Sequence, residues 1–208
     1  MKNIRTTFAL CLVLLVVTSV SAFAAGPQET VKQALDKAVV ILENPKYKAP
    51  QADTKEMYEQ IRKIIRGVFD FEELSSRTVG KPWVGMSAEE REEFTETFTQ
   101  LLERTYLRRI EEYNNEQVEY LKELVQGERA MVMTNVSHEG KRIPVNYRLT
   151  QTKNGWMVYD VSVEGVSLVK NYRTQFRDIL QNGTPQELLQ RLREKVAQLD
   201  EPGTKPQQ

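Results

Sequence analysis

Few side chains in this sequence could bind a transition metal or act as a nucleophile. The chain has one histidine, His138, and one cysteine, Cys11. Zinc, copper and iron sites use several such ligands, and a Ser-His-Asp triad would have to run through the single imidazole, in the turn-like stretch 137–140. No phosphate loop, dinucleotide fingerprint or calcium loop is present in the sequence. We therefore expect no metal site, no cofactor and no triad.

Carboxylates are the remaining catalytic candidates. The pairs Glu72-Glu73 and Glu89-Glu90 lie at predicted helix starts, where capping and the helix dipole account for them. Asp160 lies within a predicted strand, and a carboxylate on a sheet that walls a cavity could act as a general base. It could equally point outwards or accept a backbone hydrogen bond at the strand edge. An enzyme that uses Asp160 remains an alternative, although we expect a chain without enzymatic activity.

The overall charge argues against nucleic-acid binding. The 208 residues include 29 basic and 29 acidic side chains, and the pI is about 6.7. A dedicated nucleic-acid binder concentrates Lys and Arg into a strongly basic surface. Arg104, Arg108 and Arg109 give one predicted helix a basic face beside several glutamates. That face is either paired and solvated or a docking patch for a partner or a lipid phosphate, and both interpretations stay open.

The N-terminal segment has the pattern of a secretory signal. Lys2 and Arg5 precede an apolar run over 8–17, and small residues follow up to Ala24. The run is too short to span a bilayer as a helix, which favours a signal peptide over a membrane anchor. We therefore predict cleavage after Ala24. Residues 25–200 then form a single domain, and the tail 201–208, which has no apolar residue, is expected to be disordered.

The remaining sequence predicts helices, then strands, then helices. Asp70 with Glu73 and Ser87 with Glu90 have the spacing of helix N-caps with a reciprocal glutamate. The predicted helices cover 27–42, 55–68, 71–79, 88–113, 167–182 and 184–199. The predicted strands, in which the hydrophobic period changes to two, cover 117–125, 129–136, 142–150 and 156–163. This order indicates an α+β fold with a curved antiparallel sheet of four strands.

The strongest positive signal is apolar. The third strand alternates cleanly, whereas the second carries apolar residues on both faces, including Met131 and Met133. Taken alone this is a hydrophobic core. Flexible methionines also suit the wall of a cavity that accommodates variable ligands.

Several segments carry a resemblance to a known family. They are 69–71, 80–83, 87–113, 145–149, 155–161 and 164–176. The most specific is the Glu-Gly-Val-Ser-Leu run at 164–168, followed by Asn-Tyr-Arg at 171–173. Together they resemble the MlaC family of periplasmic phospholipid-binding proteins, also called the toluene-tolerance auxiliary family. The likeness spans nearly all of residues 25–200.

The resemblance implies a periplasmic phospholipid carrier rather than an enzyme. Its expected fold is a four-stranded sheet similar to that of nuclear transport factor 2, flanked by helices, with lipid tails in the cavity between them. The implied partners are an outer-membrane lipoprotein complex and an inner-membrane ABC transporter with a hexameric lipid-binding ring. Exchange between them would maintain outer-membrane lipid asymmetry. A hopanoid-type lipid is an alternative cargo, and a purely protein-binding adaptor is an alternative function.

The lipid-binding residues follow from the same resemblance and from the apolar pattern. We predict that the bound lipid contacts apolar side chains of the long helix, the sheet and the helix that follows it. They are Phe94, Phe98, Tyr106, Met131, Met133, Val145, Tyr147, Leu149, Tyr159, Val161, Val166, Leu168, Tyr172 and Phe176. Which side chains of each strand face the cavity depends on the register of strand pairing, since a shift of one residue exchanges the two faces.

Overall fold

The structure is a computed structural model that describes residues 25–48, 53–107 and 113–200. The predicted signal segment 1–24 and tail 201–208 lie outside the described residues. The helices are α1 (Pro27–Leu42), α2 (Pro45–Lys48), α3 (Lys55–Val68), α4 (Phe71–Val79), a 3₁₀ helix (Lys81–Gly85), α5 (Ala88–Tyr106), α6 (Leu168–Leu180) and α7 (Pro185–Asp200). The strands are β1 (Gln117–Gln126), β2 (Arg129–His138), β3 (Lys141–Thr152), β4 (Gly155–Val163) and β5 (Val166–Ser167).

Helix starts follow the predicted caps. The Asp70 side chain accepts a hydrogen bond from the Glu73 N–H at 2.9 Å. Ser87 and Glu90 make both bonds of a capping box, at 3.2 and 2.8 Å. Ser167 caps α6 in the same way as Asp70 caps α4. These side chains satisfy backbone donors that the first turn of a helix leaves free, so the sequence alone determines where α4, α5 and α6 begin.

Two helical boundaries differ from expectation. No helix was predicted between residues 42 and 55, but the chain forms the short helix α2, whose Tyr47 is buried and accepts a hydrogen bond from Gln60 at 3.2 Å. The long helix was expected to reach Tyr113, yet α5 ends at Tyr106, and residues 108–112 lie outside the described part. Burial of one tyrosine is a tertiary effect, which the local pattern does not contain.

The sheet is antiparallel with strand order β1-β2-β3-β4-β5. The four predicted strands are present, and the α+β fold is confirmed. Four strands were expected and the sheet has five, because Val166 and Ser167 form a short strand that pairs with the end of β4. Two residues are too few to produce an alternating pattern, so this strand has no signature in the sequence.

The hydrophobic residues form two cores. The helical core lies among α4, α5, α6 and α7 and is centred on Phe94 and Phe98, both 0% exposed. The sheet core joins Val31 of α1 to Val132, Leu149 and other residues on one face of the sheet. We call this the concave face, because α1 covers it. The space between the two cores is where the cavities lie.

Candidate functional site

Two apolar cavities adjoin each other between the helices and the sheet. The α6 cavity, about 570 Å³, is lined by residues of α3 to α6 and β4. The α1 cavity, about 430 Å³, is lined by residues of α1, α3 and the concave face of the sheet. Ile65 and Phe69 line both, so their side chains form the wall between the two. Each volume is in the range of a small-molecule pocket, roughly 300–1,000 Å³.

A bulge in β4 lets one strand line both cavities. Leu149 of β3 pairs with Val158, whereas the preceding Arg148 pairs with Asp160, so Tyr159 is an extra residue. Without it, alternation would place residues 158 and 161 on opposite faces. With it, Val158 lines the α1 cavity and Val161 lines the α6 cavity. The bulge also directs Asp160 away from both.

The dividing wall is held in place by the backbone that follows α3. Phe69 forms an isolated parallel bridge with Val158, and the Asp70 N–H donates to the Val158 carbonyl at 2.8 Å. The Phe69 ring also stacks on Phe71, with centroids 5.6 Å apart. The end of α3 is therefore fixed to β4 at the junction of the two cavities.

Exposed apolar side chains mark the rim of the α6 cavity. Tyr106 is 38%, Val163 45% and Val166 66% exposed, and all three line it. Gly165 has φ of +83° in the turn between the two valines, a conformation that favours glycine. A ligand that covered this rim would remove apolar surface from water.

The α6 cavity contains one charged lining residue among those described, Glu103. Its side chain is only 5% exposed and accepts hydrogen bonds from Arg62 Nε at 3.1 Å and from Arg66 Nε at 2.6 Å. The hydrogen bonds of Arg66 to Glu103 and Glu96 raise the pKa of its guanidinium. The carboxylate is thus neutralised by two cations, and it presents little net charge to the cavity.

One end of the α1 cavity carries an acid–imidazole pair. His138 Nδ1 lies 2.7 Å from Glu116 Oε1, and both residues line the cavity. Burial by itself raises the pKa of the Glu116 carboxyl, but the His138 hydrogen bond and backbone N–H groups outweigh it and lower that pKa. Burial also raises the pKa of the Tyr147 hydroxyl, which keeps this residue neutral. His138, expected to be a plain turn residue, is therefore part of the cavity lining.

The linings of the two cavities consist mostly of apolar side chains, which suits a hydrocarbon ligand.

Across the described ranges, no group of three or more His, Cys, Asp or Glu side chains is placed to hold a metal ion. Within the same ranges, no helix combines the length and the apolar character needed to cross a membrane.

Comparison with known proteins assigns the family. The sequence model described as "MlaC protein" matches residues 32–194. This chain belongs to the MlaC family. The resemblance found in the sequence is therefore confirmed, and the two cavities are a feature of this MlaC-family chain.

Individual relatives agree with the assignment. The chain is 24% identical, over 95% of both chains, to a Haemophilus influenzae protein named intermembrane phospholipid transport system binding protein MlaC. It is 28% identical to a toluene tolerance protein of Pseudomonas putida, over 60% of this chain and 59% of the other. A solved phospholipid-binding protein of Ralstonia solanacearum, in complex with a phospholipid, superposes with a TM-score of 0.76. That match has 28% identity and covers 85% of this chain and 100% of the other.

Five of the predicted lipid-binding residues line a cavity of this MlaC-family chain. Tyr106, Val161, Val166 and Leu168 line the α6 cavity, and Tyr147 lines the α1 cavity. Two others, Val145 and Leu149, share the concave face but are buried against neighbouring side chains.

Four predicted aromatic residues lie in the helical core instead. Phe94, Phe98, Tyr172 and Phe176 pack ring against ring, with centroids 4.9 to 5.9 Å apart, and line neither cavity. Their spacing on α5 and α6 defines an apolar stripe, but a stripe covers a wide arc of a helix. Leu168 on α6 faces the cavity, while Tyr172 and Phe176 face α5 and α7. Cavity-lining residues and core residues thus belong to the same apolar stripe of the helix. Their spacing in the sequence does not distinguish them.

Three further predicted residues, Met131, Met133 and Tyr159, line neither cavity. Val132 pairs with Tyr147, which faces the α1 cavity, so Met131 and Met133 on either side of it point away. The Tyr159 ring lies between Arg77 and Arg129, whose guanidinium carbons are 4.3 and 5.2 Å from its centroid.

Asp160, the candidate general base, is enclosed by hydrogen-bond donors. It is 3% exposed and accepts from the Ser167 hydroxyl at 2.7 Å, the Val169 N–H at 3.0 Å and Arg148 at 2.7 Å. It is not among the lining residues of either cavity. The geometry is that of a side chain that anchors the start of α6.

The lining from α1 and α3 was not predicted. The hydrophobic period predicted both helices, but no residue of either was among the predicted lipid-binding residues. The helical period indicates which side is buried, and it contains no information on whether the space opposite is occupied.

Proposed function

We propose that this chain is a phospholipid carrier of the periplasm. It would accept lipid from one membrane and deliver it to the other, working with an outer-membrane lipoprotein complex and an inner-membrane ABC transporter that bears a hexameric lipid-binding ring. Such transport would maintain the lipid asymmetry of the outer membrane. The observation that supports this most directly is the pair of adjoining apolar cavities. The phospholipid in the Ralstonia solanacearum relative and the transport function in the name of the Haemophilus influenzae relative add to it.

The two cavities suggest how a lipid with two tails would be held. One tail would lie in the α6 cavity and one in the α1 cavity, on either side of Ile65 and Phe69. The polar headgroup would remain near the exposed rim formed by Tyr106, Val163 and Val166. A headgroup placed there stays hydrated, so only hydrocarbon is transferred into the protein.

Energetics favour a carrier over a storage protein. Each buried methylene contributes about 0.8 kcal/mol, so thirty methylenes contribute on the order of 24 kcal/mol relative to water. This exceeds the usual limit of non-covalent binding from solution, about 18–21 kcal/mol. A bilayer shields the same tails equally well, so the net free energy of transfer from bilayer to protein is close to zero. Small biases from partner proteins then suffice to set the direction.

Mass spectrometry of the purified protein tests the proposal. Protein prepared without added lipid is denatured, and the released material is identified and quantified. We expect diacyl phospholipid with the wild type and roughly tenfold less with Val161→Trp, because the indole projects into the α6 cavity and obstructs the space for a lipid tail. The control is Val40→Trp, the same substitution at a position 71% exposed on α1, which should retain wild-type lipid content.

The outcomes separate the alternatives. Wild-type protein that is consistently free of lipid and does not extract lipid from vesicles would contradict the proposal, and would favour a protein-binding adaptor. A polycyclic lipid in place of a diacyl lipid would identify a hopanoid-type carrier. Circular dichroism of both tryptophan variants establishes that lipid loss does not result from unfolding.

A further inference from the structure

A basic groove lies beside α6, on a side of that helix that neither cavity touches. Its volume is about 440 Å³, and Lys81 of the 3₁₀ helix and Lys170, Arg173 and Arg177 of α6 line it. The other lining residues, which include Pro82 and Leu180, are uncharged. Among the described residues, no acidic side chain contributes to the lining. In a chain with 29 basic and 29 acidic residues, this is a local concentration of positive charge.

The cations of the groove have few charged partners. Elsewhere, seven arginines pair with carboxylates: Arg62, Arg66, Arg77, Arg104, Arg129, Arg148 and Arg193. Within the described part of the chain, Lys81, Lys170 and Arg173 make no ion pair. Arg177 has a single contact of 3.5 Å with its neighbour Asp178, and both of those side chains are more than 60% exposed.

Helix geometry separates the groove from the lipid site. Residues 170, 173, 174 and 177 follow the spacing of a single helix face. Leu168 and Asn171 face the α6 cavity instead, and Tyr172 and Phe176 face the helical core. The groove and the α6 cavity therefore share no lining residue, and the groove is a separate surface feature.

Arg173 lies next to Gly80 in the lining of the groove. Gly80 has φ of +73°, and a Cβ placed on it would lie 3.5 Å from the Arg173 guanidinium. That distance is an ordinary van der Waals contact, so Arg173 lies beside the backbone that connects α4 to the 3₁₀ helix. Val84, at the far end of that 3₁₀ helix, is 79% exposed and adds an apolar contact point near the charged groove.

We propose that this groove docks an acidic segment of a partner protein. From residue 170 to residue 177, α6 rises about 10 Å, and a row of cations along that length matches several successive carboxylates. A planar bilayer surface would contact the rim of such a recess and leave its floor empty. Complementary charge of this kind accelerates association and selects the partner. The inference does not depend on the proposed lipid cargo, because the groove shares no residue with either cavity.

The test measures binding of a fluorescein-labelled hexapeptide of alternating Asp and Glu by fluorescence anisotropy. We expect the wild-type protein to bind, with affinity falling as salt is raised, and the double variant K170E/R173E to bind about tenfold more weakly. The matched control K141E/K153E changes net charge equally at two exposed hairpin positions outside the groove. It should bind within about twofold of the wild type.

Further measurements distinguish other occupants. No binding by the wild type, or equal loss in both double variants, would overturn the proposal. So would displacement of the peptide by inorganic phosphate beyond that by chloride of equal ionic strength, which would indicate a small-anion site. Reduced sedimentation of K170E/R173E with phosphatidylglycerol vesicles, with peptide binding intact, would indicate a membrane surface and overturn it too. Co-purified lipid should be unchanged in K170E/R173E, which separates this result from a failure of the lipid proposal.

Discussion

The Ser167 hydroxyl donates a 2.7 Å hydrogen bond to Asp160, and this contact fastens the first turn of α6 to β4. Ser167 also caps α6, so one hydroxyl serves both the helix start and the sheet. The same carboxylate accepts from the Val169 N–H and from Arg148. Since Leu168 lies between these anchored residues and lines the α6 cavity, Asp160 holds one wall of that cavity without lining it.

Substitution of this carboxylate should destabilise the fold. Asp160→Asn keeps the shape but removes the charge that three buried or part-buried donors require, and we expect a loss of about 2 kcal/mol in the free energy of unfolding. Urea denaturation followed by circular dichroism measures it. The control is Asp36→Asn, the same change in an exposed pair with Lys32, which should have no measurable effect.

The same variant bears on the alternative enzymatic role. A purely catalytic Asp160 would leave the unfolding free energy of Asp160→Asn at the wild-type value, whereas an Asp160 that anchors α6 lowers it. Unaltered stability in this variant would contradict the anchoring role assigned to Asp160.

The helical core and the cavity rim should respond differently to loss of apolar bulk. Phe98→Ala removes a ring that is 0% exposed and touches three other rings, so we expect a loss of about 3–5 kcal/mol. Val166→Ala, at a position 66% exposed, should leave the unfolding free energy within error of the wild type. Thermal and urea denaturation of both variants check this contrast. A small effect of Phe98→Ala would mean that this ring faces open space instead of the core.

Stability should fall in acid partly through Glu73. Burial by itself raises the pKa of this carboxyl, but hydrogen bonds from Arg77 and Arg129 outweigh it and hold its pKa below 4.5. A carboxyl with a lowered folded-state pKa stabilises the fold above its unfolded-state pKa, and that contribution is lost as pH falls through the folded-state value.

The pH dependence can be measured on one variant and one control. Glu73→Gln should be less stable than the wild type at pH 7, and the difference should shrink as pH falls from about 5 to below 4. Glu72→Gln, at the exposed neighbouring position, serves as the control. Parallel stability–pH curves for Glu73→Gln and wild type would show that the two arginine contacts do not matter in solution.

The buried carboxylate of the α6 cavity should also contribute to stability. Glu103→Gln leaves Arg62 and Arg66 without their shared partner, and because both arginines are about a third exposed, we expect a moderate cost of about 1–3 kcal/mol. Glu59→Gln, which removes the exposed partner of Arg62, should have a smaller effect. Urea denaturation compares them, and equal stability of the two variants would contradict a buried network.

Local features of this fold were predictable, because their causes are local. Asp70, Ser87 and Ser167 cap helices through hydrogen bonds to residues three positions later, and the sequence contains both partners. The change from a period of 3.6 to a period of 2 likewise located four strands. The order of these helices and strands predicted the α+β fold, which the structure confirms.

The identity of the cavity-lining residues depends on features that the sequence pattern does not contain. The bulge at Tyr159 turns one strand so that Val158 and Val161 share a face, and simple alternation separates them. The register then placed Met131 and Met133 on the outer face. Likewise, Phe98 and Tyr106 occupy one helix, yet the first is enclosed by rings and the second reaches a cavity rim. Only the packing of distant elements distinguishes these positions.

The partition between the two chambers is one side-chain layer thick, consisting of Ile65 and Phe69. Rotation of either side chain about its own bonds, a fast motion compared with helix displacement, would connect the chambers while the backbone stays still. The shape of ligand that the cavities accommodate could therefore change during evolution through substitution of one residue. A smaller side chain at position 65 would create a single wide compartment for a branched or ring-containing ligand. A bulkier side chain there would favour a ligand with two slender chains.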